Sequence, residues 1–305
     1  MSSTTADKIN YLLDTKEEIR QAINEKFVDV PTSATFRSYA DSIRAIPTGN
    51  KMCRFVIGTK TAGWTEKDCD YLCDGVDDQV EINAAIQALP STGGEIKVLD
   101  GTYNITAPIS IDKERVTFGG CGQSTIFKRM WKGSSASDSV ITFSKSYCTF
   151  KYFQIDGNNR VYNGGSGLYL TEKNMTNILV EGVVCKKTYI GISLSSAQNS
   201  TATGNTCNNN NNTGIFLSSA QNSTATGNTC NNNRIYGISL NSVQNSIATG
   251  NTCLRGEGTS SDYTSSQHTI YMDSNTTDCV VVGNNCSGKA PTSSGTGNIV
   301  ANNKS

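Results

Sequence analysis

Apolar side chains recur with three different periods along the 305-residue chain, and each period predicts a different element. Over residues 5–27, Ile9, Leu12, Ile19 and Ile23 follow the three-four spacing of a coiled-coil seam, which predicts a helix. Lys16 interrupts that seam at an a-type position. After Val30-Pro-Thr-Ser, where Thr32 or Ser33 can cap, Phe36, Tyr39, Ile43 and Ile46 form the stripe of a second short helix that Pro47-Thr-Gly ends. Neither helix can bury its stripe alone. They pack on each other, on the rest of the chain, or on further copies; the expected state is a homotrimer with Ile9, Leu12, Ile19 and Ile23 at its contacts.

From Phe55 the period changes. Asp74-Gly-Val-Asp-Asp-Gln opens an amphipathic helix in which Asp78 and Glu81 have the spacing of a capping box, and residues 90–94 stop it. Then Ile96 and Val98 alternate with polar residues as in a strand, and Asp100-Gly101 supplies a turn. Val116-Thr-Phe and Val140-Ile-Thr-Phe read as further short strands.

The third pattern is an internal repeat. Residues 191–213 and 214–236 are identical at 19 of 23 positions, and another copy starts at Gly237. Degenerate copies extend both ways, so that Cys185, Cys207, Cys230, Cys253 and Cys286 are separated by 22, 23, 23 and 33 residues. The long interval holds an insertion at 256–267. Such a period fits short strands joined by Gly and Asn bends. One copy cannot bury its apolar face, whereas stacked copies can. The prediction is a parallel coil with equivalent residues in ladders about 4.8 Å apart. Ile192 and Leu194 with their counterparts point inward, as do Val180, Ala202, Ala225, Ala248 and Val281 and the five cysteines. Asn205, Asn228 and Asn251 form a ladder at a bend, where asparagine tolerates left-handed backbone.

Composition sharpens this picture. The 26 basic and 26 acidic side chains leave no global field for nucleic acid or an anionic membrane, and no apolar stretch is long enough to cross a bilayer. The 11 cysteines lack the spacing of zinc sites, so buried packing is expected of the ladder and of Cys69 and Cys73. No metal or cofactor is expected. Met1-Ser-Ser-Thr-Thr-Ala-Asp-Lys lacks the basic and apolar parts of a signal peptide.

Taken together, Asp74-Gly-Val-Asp-Asp, Gly93-Gly-Glu-Ile-Lys-Val-Leu-Asp-Gly-Thr-Tyr, Val116-Thr-Phe-Gly-Gly-Cys, Ile155-Asp-Gly-Asn-Asn and the Gly-Asn-Thr coils resemble a right-handed parallel β-helix of the pectate-lyase-like superfamily. The helical leader resembles the attachment segments of bacteriophage tail fibres and tailspikes. The resemblance implies a mainly β fold: an N-terminal α-helical attachment segment over residues 1–50, a linker and capping helix over 51–94, and a parallel β-helix over 95–305. It also implies a virion protein, in a tail fibre, tailspike, baseplate or capsid fibre, that is made in the bacterial cytoplasm without a signal peptide. Its expected partners are other virion proteins at the N-terminus and host cell-surface polysaccharide, with no nucleic acid and no membrane insertion.

Many proteins of that superfamily are polysaccharide lyases or glycoside hydrolases, and a depolymerase is the alternative expectation. Glycoside hydrolysis needs two facing carboxyl groups. Residues 182–256, 75 in all, contain no Asp or Glu. The paired aspartates and His-Gly of pectate lyases and polygalacturonases are not found, and Gly119-Gly-Cys-Gly-Gln-Ser-Thr lacks the lysine of a phosphate loop. Asp156, in Ile155-Asp-Gly-Asn-Asn, reads as a turn residue. No catalytic residue is assigned, and the expected function is non-enzymatic. Ser, Thr, Asn and Gln dominate the outward positions, a surface suited to neutral glycans. Tyr263 in the insertion and Arg255 and His268 at its two ends, with Tyr152, Tyr162 and Tyr169 as stacking groups, are the candidate binding residues.

Overall fold

A computed structural model describes residues 5–24, 53–132, 138–158 and 164–305 with isolated positions between them, and it divides into two units, Met1–Lys51 and Met52–Ser305. In the first, helix α1 (Thr5–Asn24) forms over the predicted seam. Ile9 and Leu12 are 52% and 55% exposed and Ile19 is half-buried, so most of the described seam faces solvent; the side chain of Ile23 lies outside the described residues. Tyr39 is buried and donates its hydroxyl to the carbonyl of Lys16 at 3.3 Å. The rest of the second helix lies outside the described residues. Among the described residues no helix is long and apolar enough to cross a membrane.

The second unit is a solenoid. Its described strands form three all-parallel sheets of eleven, eight and five strands, in which each strand pairs with its equivalents one coil away. The sheet already begins at Arg54–Thr59, which pairs with Gly94–Val98, so strand structure occupies part of the segment that the sequence reading gives to a linker and capping helix. Helix α2 (Gln79–Ala88) buries Ile82, Ala85 and Ile86 and packs on Arg54–Thr59, Tyr71–Cys73 and Ile109–Ile111.

The capping box does not form. Asp78 itself has helical backbone, and its buried carboxylate accepts the N–H groups of Gly75 at 2.7 Å and Asn104 at 2.6 Å. It thereby ties the helix to the next coil instead of closing the first turn. An inward side chain has no access to its own helix terminus, and the backbone donors across the core satisfy it.

The inward ladders form as expected. Val180 pairs with Ala202, then Ala225, Ala248, Val281 and Val300. Cys185, Cys207, Cys230, Cys253 and Cys286 are all buried, and Leu168, Ile192, Ile215, Ile238 and Ile270 stack in register. The earlier coils are filled by rings: Phe118, Phe127 and Phe153 meet at centroid distances of 5.4–5.7 Å.

The asparagine ladder forms, but its backbone is not left-handed. The positive φ falls on the preceding glycine of each coil, Gly204, Gly227, Gly250 and Gly283, at 61–65°. Asn205, Asn228, Asn251 and Asn284 are instead buried side chains. Each accepts a backbone N–H from the coil before it and donates to a carbonyl of that same coil; Asn228 Oδ1 takes the Asn205 N–H at 2.9 Å, and its Nδ2 reaches the Ala202 carbonyl at 2.9 Å. A separate series, Asn199, Asn222 and Asn245, adopts the left-handed conformation at φ 49°. Sequence alone could not divide these jobs, because both ladders use the same residue type.

Candidate functional site

Along the eight-stranded sheet, the outward positions of successive coils are Thr142, Tyr169, Ser193, Phe216, Ser239, Tyr271 and Thr292, paired in that order. The alternation of side chains in a strand puts these seven opposite the apolar core column. From Tyr169 to Tyr271, aromatic and serine residues alternate rung by rung.

The face is built further at both ends. Near Tyr169, Tyr189, Phe216, Ser193 and Gly165 line a concavity of about 230 Å³. Tyr189 is held there by the amide of Asn212, which donates to its hydroxyl at 2.8 Å. At the other end Tyr236, Tyr271 and His268 form a cluster, with Tyr236 stacked on His268 at 5.7 Å and Tyr271 4.9–5.0 Å from both. His268 Nδ1 lies 2.9 Å from the Thr292 hydroxyl. Burial, and then the charge of Lys289, lower the pKa of His268 below its ordinary value. It is therefore a neutral ring in a stack at neutral pH. The whole face can stack on a flat apolar surface of a ligand while serine, threonine and tyrosine hydroxyls bond its polar rim.

Two of the six candidate binding residues, Tyr169 and His268, stand on this face. Arg255 and Tyr263 turn inward. Arg255 donates to the carbonyls of Asp262, at 3.2 Å, and Asn233, and the Tyr263 hydroxyl donates to the carbonyls of Cys253 and Ser287 at 3.4 and 3.3 Å. Burial raises the Tyr263 pKa to about 12. Lys289 Nζ also donates to the Thr264 carbonyl at 3.0 Å. The insertion is thus folded back and tethered to the coil. Replacing Tyr263 by phenylalanine is expected to cost about 0.5–1.5 kcal/mol of stability, measured by denaturant unfolding.

Tyr152 stands on another corner, with φ 58°, where its ring lies over Gly182 and its hydroxyl bonds Glu181. Tyr162 lies outside the described residues. The face also holds Tyr189, Phe216, Tyr236 and Tyr271, which are not among the candidates that the sequence points to. A signal was present: only four positions differ between the copies at 191–213 and 214–236, and two of them are Phe216 and Tyr236.

Three of the carboxylates outside the repeats are engaged in local bonds. Asp156 Oδ1 accepts the N–H of Asn158 at 2.8 Å, the turn bond expected of it, and Lys186 lies 3.8 Å from its other oxygen. Asp262 accepts the N–H and hydroxyl of Thr259, and Asp273 the N–H of Ser242 at 2.8 Å. Among the described residues one group has metal-ligand types within reach of one another, Cys73, Asp78 and Glu81. Both oxygens of Asp78 are already taken by backbone N–H groups, and burial pushes the Cys73 thiol well up.

A family model described as a right-handed β-helix region matches residues 138–305. No curated protein matches the chain by sequence. Solved structures align over most of it. ORF18 of Geobacillus virus E2 is 17% identical with a TM-score of 0.55, over 83% of this chain and 53% of that one. The Agl-KA catalytic domain is 18% identical with a TM-score of 0.56, over 70% of this chain and 45% of that one. DFA-IIIase from Arthrobacter chlorophenolicus A6 is 16% identical with a TM-score of 0.58, over 75% and 62%. This chain therefore spans less than two thirds of each of those proteins, and likeness at such identities carries the fold alone.

Proposed function

The chain belongs to the right-handed β-helix family, and from that premise we propose that it is a non-enzymatic bacteriophage virion appendage that binds a host surface glycan. The observation that carries the proposal is the outward face of the eight-stranded sheet, where aromatic rings and hydroxyls adjoin a stretch of 75 residues without a carboxylate. Rings and hydroxyls are what a neutral sugar needs for stacking and hydrogen bonding. The middle coils of that face, within residues 182–256, contain no carboxyl group and so hold no facing pair of the kind a glycosidase needs. The fold shared with a viral ORF supports the virion reading.

In this reading the solvent-facing Ile9 and Leu12 of α1 are covered by two further copies of the chain, and the N-terminal segment attaches to other virion proteins. Light scattering of the purified protein is expected to give three times the mass of one chain, and Leu12→Asp to give the single-chain mass. A monomeric wild-type protein removes the trimer.

For the glycan, surface polysaccharides purified from a panel of bacteria are incubated with the protein. Expected is retention of at least one polysaccharide with no new reducing ends and no unsaturated sugars. Release of oligosaccharides would establish the alternative, a depolymerase on the same fold.

A further inference from the structure

We infer that the eight-stranded sheet binds an extended, neutral, β-linked glycan laid along the solenoid axis, with every second sugar stacked on Tyr169, Phe216 and Tyr271. The inference rests on the glycan-binding reading and specifies its ligand class.

The spacing comes from the register. Tyr169 pairs with Ser193, Ser193 with Phe216, Phe216 with Ser239, and Ser239 with Tyr271. Neighbouring strands are about 4.8 Å apart, so the three rings stand two rungs, roughly 9.5 Å, from one another. That is about the length of one disaccharide in an extended β-1,4-linked chain. In such a chain successive sugars are turned over relative to each other, and alternate sugars present the same face to one side. A two-rung ring period therefore matches a two-sugar period. A helical, α-linked glycan turns its sugar faces steadily around its own axis and cannot keep this match.

The rings are also placed to act as platforms. Ser193 and Ser239 face outward, yet they are only 1% and 0% exposed. Tyr169, Phe216 and Tyr271, on the rungs between and beside these serines, are partly exposed, so a ligand on this face meets the rings and not the serines. Phe216 serves as a sharp probe, because it has no hydroxyl and can contribute only stacking.

Charge restricts the partner. Strands Ile190–Ser193, Thr213–Ser218, Tyr236–Asn241 and His268–Met272 carry no acidic residue, no lysine and no arginine. His268 is neutral in its stack. A neutral chain meets this face without an unpaired charge, whereas a polyanion would find no counter-charge along these four strands.

The test is calorimetric titration of the full-length protein with cello- and chito-oligosaccharides from dimer to hexamer, with malto-oligosaccharides as the helical comparison. Affinity is expected to rise with length in one of the extended series up to about the pentamer, which spans the three rings. Phe216→Ala is expected to weaken pentamer binding on the order of tenfold. The double variant F216S/S239F keeps composition and charge but moves the middle ring by one rung, and it is expected to weaken binding as much with its melting temperature unchanged. Affinity that saturates at the dimer, malto-oligosaccharides bound as tightly, or Phe216→Ala binding like wild type each overturns the inference. Should the double variant fold poorly, the length series and Phe216→Ala still decide. If the protein retains surface polysaccharide but binds none of the extended oligosaccharides, the axial alignment falls while the glycan reading stands; if it retains no polysaccharide, both fall.

Discussion

Replacing Asn228 by leucine is expected to destabilise the β-helix by about 3–5 kcal/mol, although the two residues have similar size. Asn228 Oδ1 accepts the backbone N–H and the Nδ2 of Asn205 at 2.9 and 3.0 Å, and Asn228 Nδ2 donates to the Ala202 carbonyl and to Asn251 Oδ1, both at 2.9 Å. All of these groups are buried, so water cannot take the place of the lost side chain. The Asn205 N–H loses its acceptor, and the Asn205 amide, Asn251 Oδ1 and the Ala202 carbonyl each lose one partner; the orphaned N–H alone costs roughly 1–3 kcal/mol. Denaturant unfolding followed by far-UV circular dichroism measures the loss. A change below about 1 kcal/mol would show that the ladder merely fills space, because leucine fills it equally well.

Phe127→Ala is expected to cost about 3–5 kcal/mol for a different reason. Phe127 is fully buried, and its ring packs 5.4 Å from Phe153, 5.6 Å from Phe118 and 5.7 Å from Tyr103. Tyr103 and Phe118 sit on strands paired with neighbouring coils and Phe153 directly precedes another, so they cannot close on the space without dragging the ladder with them. Because a solenoid coil contacts mainly its neighbours, the damage should be local. Hydrogen exchange is expected to quicken in residues 94–156 while amides of residues 191–253 keep their protection. Uniform loss of protection along the whole solenoid would falsify this local picture, as would a cost near that of a surface substitution.

How far the sequence could be read depended on whether a residue's job was local or lay between coils. The period of 23 predicts stacking because a single copy exposes its apolar face, and the core columns follow from Ile192, Leu194, Ala202 and Cys207 having equivalents in each copy. The Asp156 turn was legible for the same reason: its partner is two residues away. Asp78 was misread because its partner, Asn104, is 26 residues distant and becomes a neighbour only when the coils stack. Arg255 and Tyr263 looked like loop residues free to bind, since nothing in the insertion reveals the carbonyls of Asn233 and Ser287 that capture them.

The aromatic face marks the boundary most clearly. Tyr169, Phe216 and Tyr271 are 47 and 55 residues apart in the chain, and an irregular interval containing the insertion separates the last two. No linear spacing connects them. By itself the sequence determined the parallel β-helix, its inward ladders and the neutral character of the repeats, because these follow from identical short-range choices made once per coil. Only the tertiary structure decided which coils face one another across which rung, and hence that three scattered rings form one column, because strand register converts unequal sequence intervals into one constant distance.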